Sequence, residues 1–218
     1  MTRRMQTAAR QPRGAAADHT SVMSDAAVDL YWLPLGAGGR SVRLNGLAFE
    51  FVAARFQHRT RCDLYHSALE VHVAHERYVV EMAPVWNDPA DERGVVAEGP
   101  VASRRLAGYA LFRYEIRRWH NGRIPDIAEA VDSPQRLSED PATGRRVLEL
   151  VAEVPTPTWG RDELHTGEMW NSNSVTAWLL ARAGIDVRHT RPPLGGRAPG
   201  WTAGLMTARA ATKPRVRV

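Results

Sequence analysis

Two places in the chain hold residues whose types could do chemistry. The first is the run Asn171-Ser172-Asn173-Ser174, set ahead of apolar Val175, Trp178, Leu179 and Leu180. A hydroxyl at a helix start feels the positive end of the helix dipole and faces unpaired N–H groups. Both help a nucleophile, and the N–H groups can hold an oxyanion. The second is His66 at the start of a strand, with Glu70, His72 and Glu81 on the same strand face. An imidazole is the usual base for a serine, and a carboxylate can hold the ring in the working orientation. The expectation is that Ser172 or Ser174 attacks an amide or ester, His66 takes the proton and Glu81 orients the ring. Trp159 and Trp170 flank the serines and, with Asn171 and Asn173, are expected to line a cleft. The same four-residue run also reads as an elaborate N-cap, in which the polar side chains serve the helix and nothing else.

A mononuclear metal site is a further reading of the strand residues. Two His and a carboxylate suffice for zinc or iron. Residues two apart on a strand are nearly 7 Å apart along it, however, so His66 and His72 would lie about 20 Å apart, too far to share an ion. The sequence therefore implies no metal and no cofactor.

These residues need a sheet and a late helix to position them. Leu30–Leu33 is strand-like, and Asn45-Gly46 between β-forming runs signals a hairpin. His66–Val73 and Tyr78–Val85 alternate with period two around a polar turn at residues 74–77. Pairing Val73 with Tyr78 puts Leu69, Val71, Val73, Tyr78, Val80 and Met82 on the core face. It puts His66, Ala68, Glu70, His72, Val79, Glu81, Ala83 and Val85 on the other, with Glu70 opposite Glu81. Residues 109–119 read as another strand, followed by the turn His120-Asn121-Gly122 and a return beginning at Arg123. Asp140 reads as an N-cap with Pro141 at the first helical position, leading a helix to about Val151. The helix after Asn171 stops at Gly184, and Trp201–Arg209 adds a short last one. The fold class is α+β: an antiparallel β-sheet of about 5–7 strands with late helices packed on it. The ordered domain spans residues 25–208, between a tail at 1–24 and a basic tail at 209–218.

The order of these elements resembles the circularly permuted papain-like superfamily, the group of lecithin:retinol acyltransferase-like enzymes and related amidases. Its strand motif, an HxGxxV-like run, is similar to His66-Ser67-Ala68-Leu69-Glu70-Val71. Its helix motif, Asn-Cys-Asn or Asn-Asn-Cys, is similar to Asn171-Ser172-Asn173-Ser174 with Ser in place of the nucleophilic Cys. The first alignment puts Ser172 at the nucleophile position and the second puts Ser174 there. The resemblance implies hydrolase or acyltransferase chemistry on a small-molecule, lipid or peptide substrate. A degenerate relative would be a non-catalytic binding or scaffold protein that keeps the fold.

Composition limits the rest. With 218 residues, 44% of them apolar, the chain can bury a real core. The lone Cys62 excludes a disulfide framework or a multi-cysteine metal site. No apolar run is long enough for a transmembrane segment. The net charge of +5 sits at the ends: residues 1–27 hold four Arg and two Asp, and residues 209–218 hold Arg209, Lys213, Arg215 and Arg217. A near-neutral body argues against a specific nucleic-acid surface. There is no signal-like apolar segment after Arg3-Arg4, Met23 could be the natural start, and a cytoplasmic location is expected. Lys213 is the only lysine, so no Walker motif exists, and Gly-x-Ser-x-Gly is absent. The Arg- and Ala-rich composition suggests a high-GC, bacterial coding sequence.

Overall fold

The computed structural model describes residues 26–35, 63–85 and 93–212. The Asn45-Gly46 hairpin, Cys62 and the tail at 1–24 lie outside the described residues; of the tail at 209–218, residues 209–212 continue the last helix and the rest lie outside.

Among the described residues, six strands form one antiparallel sheet: β1 (Ala27–Pro34), β2 (Tyr65–Val73), β3 (Glu76–Pro84), β4 (Val95–Pro100), β5 (Arg113–His120) and β6 (Gln135–Ser138). Their order across the sheet is β4-β5-β3-β2-β1-β6. Three helices follow late in the chain: α1 (Pro141–Leu150), α2 (Ser172–Arg182) and α3 (Trp201–Thr212). The class is α+β, as the sequence implies.

Alternation along the strands makes two unlike faces. Val28, Leu30 and Trp32 of β1, Leu69, Val71 and Val73 of β2, Val80 and Met82 of β3, and Tyr114 and Ile116 of β5 point one way. They share a core with Val147 and Leu150 of α1 and with Val175, Trp178 and Leu179 of α2. All three helices therefore cover this face. Two close approaches show how tightly. A Cβ on Gly144 of α1 would stand 2.7 Å from a Val73 methyl, and one on Gly204 of α3 would stand 2.2 Å from the Ser174 carbonyl of α2.

The opposite face is a smaller apolar patch of Tyr31, Leu33, Ala68, Val79 and Ile124. Beside it lies a chain of buried charges: Arg93 binds both oxygens of Glu115 at 2.9 and 3.1 Å, Arg117 also binds Glu115, and Arg117 reaches Glu81 at 2.8 Å. Opposite charges alternate along it, which is what lets them stay out of water.

The hairpin joining β2 to β3 is tighter than the sequence suggests. Its turn is two residues, Ala74-His75, both left-handed at φ 52° and 68°, where the sequence reading has four. That geometry matches the right-handed twist of the strands it joins. Val73 thus faces Glu76 rather than Tyr78, and Glu70 faces Val79 rather than Glu81. The slip is two residues, so the core face keeps its members. The expected repulsion at Glu70 does not arise, because Arg77 and His72 each reach its carboxylate at 2.8 Å.

Other boundaries also move. Residues 110–112 form a 3-10 turn, and β5 starts only at Arg113. The chain after Gly122 does not return as a strand at Arg123; it turns through Ile127–Glu129 and supplies β6 to the far edge beside β1. β4, with its Gly99-Pro100 end, has no clear strand signal in the sequence. Gly99 is needed there, since a Cβ would lie 2.3 Å from the Tyr114 ring. The helix starts follow the expected chemistry. Asp140 accepts from the amides of Ala142 and Thr143, and Gly184 ends α2 at φ 82°.

Candidate functional site

Asn171 is the N-cap of α2. Its side-chain oxygen accepts from the amides of Asn173 (2.9 Å) and Ser174 (3.3 Å), while Ser174 Oγ accepts from the Asn171 amide at 3.1 Å. This reciprocal pair is a capping box, here with Ser at the third position. It engages the amides of Asn173 and Ser174, two of the first-turn donors that an oxyanion could use.

The run also ties α2 to its surroundings. Asn171 Nδ2 donates to the Pro199 carbonyl at 2.8 Å, and Ser174 Oγ donates to the Gly200 carbonyl at 2.8 Å. Asn173 is only 1% exposed. Its amide nitrogen donates to the carbonyls of Tyr65 and Pro199, each at 2.9 Å, and its oxygen accepts from Ser67 Oγ at 2.8 Å. One side chain thus joins β2, α2 and the loop before α3. Gly200, at φ 85°, comes so close to Asn171 that a Cβ would meet its side-chain oxygen at 2.4 Å.

Ser172 differs from its neighbours. It is buried at the first helical position, and its hydroxyl makes no hydrogen bond among the described residues. It is the one serine of the pair not consumed by the cap.

The expected base is not beside it. His66 lies one residue out of phase with Ser67, so its ring belongs to the sheet face away from α2. Glu81 is on that same far face, bonded to Arg117. The sheet therefore separates Ser172 and Ser174 on one side from His66 and Glu81 on the other, and the Ser–His–Glu grouping is corrected on this ground. The His66 ring makes no hydrogen bond among the described residues, and burial pulls its pKa down to about 4. A ring so averse to carrying charge is a poor acceptor for a serine proton. Burial also pushes the Glu81 carboxyl up against the pull of Arg117.

The expected cleft lining changes too. Trp170 is 1% exposed and sits in the main core. Trp159 is half-buried, bridges Trp170 through the backbone and meets Tyr114 edge-on with centroids 6.0 Å apart. Asn173 is fully enclosed, which leaves Trp159 and Asn171 as the half-buried members of the expected lining. Among the described residues, no group of three or more His, Cys, Asp or Glu is placed to hold a metal ion. No helix among them is long and apolar enough to cross a membrane.

The residue that the sequence reading missed is Ser67. The signal was present: alternation places it in phase with Leu69, Val71 and Val73, on the face that helices must cover.

No family model, curated protein or solved structure matches this chain.

Proposed function

We propose that this chain is a non-catalytic binding or scaffold protein, a degenerate relative of the permuted papain-like enzymes. In this reading the order of elements survives, and the strand-to-helix pairing that would carry catalysis has become a structural joint. The observation that carries it is the Ser67–Asn173 hydrogen bond in the place where a base would have to face a nucleophile. Three supports converge on it. His66 faces away from α2, the amides of Asn173 and Ser174 are taken by Asn171, and Ser174 is bonded through its hydroxyl as both donor and acceptor.

A serine hydrolase or acyltransferase is the second reading, favoured by the unbonded hydroxyl of Ser172. It requires a base other than His66.

A fluorophosphonate probe with intact-mass detection separates the two. The scaffold reading expects no adduct on the folded protein beyond that of the Ser172→Ala variant. An adduct mapped to Ser172, formed by the folded chain and absent after heating, would overturn it.

A further inference from the structure

Seven large apolar side chains among the described residues are exposed, and four of them lie close in two segments: Leu106, Tyr109 and Leu111 in one, Leu164 in the other. The first segment joins β4 to β5 through two short 3-10 turns, Arg104–Leu106 and Ala110–Phe112. The two segments are clipped together. Arg104 binds both oxygens of Glu163 at 3.1 and 2.7 Å, and Arg161 donates to the Ala102 carbonyl. Glu163 is in turn held by the amide and hydroxyl of Thr158. This is a braced projection, with Leu164 carried beside it.

Its tip is in open solvent. Tyr109 is 68% and Leu111 81% exposed, and a Cβ on Gly108 would meet nothing within 4 Å. Among the described residues, neither side chain makes a hydrogen bond or a ring contact. A cluster of this kind on a braced loop marks a docking surface.

Charge selects the partner. The segment 103–113, Ser-Arg-Arg-Leu-Ala-Gly-Tyr-Ala-Leu-Phe-Arg, carries three Arg and no acid. Arg105 is exposed and makes no ion pair among the described residues, while Arg104 and Arg113 are held by Glu163 and Glu98. Aliphatic and tyrosyl groups at a tip, with the exposed Arg105 in the same segment, fit the boundary between acyl chains and anionic headgroups. We infer that the loop between β4 and β5 docks on an anionic lipid surface, with Leu111 and Tyr109 entering the interface and Arg105 meeting the headgroups. The inference does not depend on the proposed function, since it uses none of the residues around α2.

The test is co-sedimentation of the full chain with vesicles of phosphatidylcholine containing about 30% phosphatidylserine, against phosphatidylcholine alone. The wild type should bind the anionic vesicles, release in high salt and bind the neutral ones far less. Tyr109→Glu/Leu111→Glu should weaken binding about tenfold or more at unchanged Tm, because both side chains are exposed. Should that variant fold poorly, Arg105→Glu should weaken binding by a smaller factor and reduce the salt dependence. Absence of wild-type binding would overturn the inference, as would equal binding to both vesicles. So would undiminished binding by both variants, which would give the attraction to the Arg-rich ends. A concentration-dependent dimer abolished by Leu111→Glu, without vesicle binding, would assign the patch to a second copy of the chain.

Discussion

Ser67 and Asn173, 106 positions apart in the sequence, share a buried hydrogen bond of 2.8 Å between β2 and the first turn of α2. The Asn173 amide closes the joint on two backbone carbonyls, from Tyr65 and Pro199. Ser67, Asn173 and Tyr65 are out of water, so these groups depend on one another for satisfaction, whereas the Pro199 carbonyl also accepts from Asn171. Removing one partner costs the desolvation of those left behind.

Asn173→Ala is therefore expected to destabilise the protein by about 2 kcal/mol, from the Ser67 hydroxyl and the Tyr65 carbonyl left without it, while the Pro199 carbonyl keeps its bond from Asn171. Asn173→Asp should cost at least as much, since an ionised carboxylate cannot donate to the two carbonyls. Chemical denaturation followed by tryptophan fluorescence measures both. A loss below about 0.5 kcal/mol for Asn173→Ala would show that the joint bears little of the fold.

His66 sets a pH dependence. Its pKa falls from 6.5 to about 4 on folding, so between those values the unfolded chain binds the proton and the folded one does not. Stability should accordingly rise with pH through that window. His66 is half-buried, so the gain stays below what a fully enclosed imidazole would give. Denaturation midpoints of wild type and His66→Gln across about pH 4 to 7 isolate it: the difference between the two proteins should change with pH below about 6.5 and stay flat above it. Parallel curves throughout would mean that the ring is solvated.

How much of this was legible in the sequence depends on which interaction decided each feature. Local chemistry was readable: Asp140-Pro141 starts α1, and Asn171 caps α2. So was the phase of β2, which already put Ser67 with the core residues and His66 away from them. The resemblance in motif order pulled the other way, and pleating decides between them because it leaves no freedom to bring His66 to α2. The register of the β2–β3 hairpin was not readable. Ala74-His75 has no glycine or asparagine to mark a left-handed turn, and pairing along the whole ladder imposes it. The placement of β6 beside β1 was equally hidden, since it depends on contacts over a hundred residues away, such as Arg136 with Asp29.

Gly204 tests the contact of α3 with α2. Gly204→Ala should cost about 1–3 kcal/mol, although alanine is the better helix former, because its methyl would collide with the Ser174 carbonyl. Thermal unfolding gives the sign directly. A higher Tm would mean that the helices separate freely.

The buried charge chain makes a signed prediction of its own. Arg117→Met removes the partner of Glu81, whose carboxyl burial already pushes up. The loss should be about 3 kcal/mol near neutral pH. Folding would then favour the protonated acid, so the deficit should shrink toward about pH 5 and grow as pH rises. A pH-independent deficit would assign the effect to lost packing.

Two double-mutant cycles measure the central claim most directly, one on Ser67 and Asn173 and one on His66 and Ser172, each with alanine substitutions read by equilibrium denaturation. The account predicts a coupling of about 1 kcal/mol or more for Ser67–Asn173, and a coupling near zero for His66–Ser172, whose side chains lie on opposite faces of the sheet. Strong coupling of His66 to Ser172, with none between Ser67 and Asn173, would contradict it and restore the serine–histidine pair.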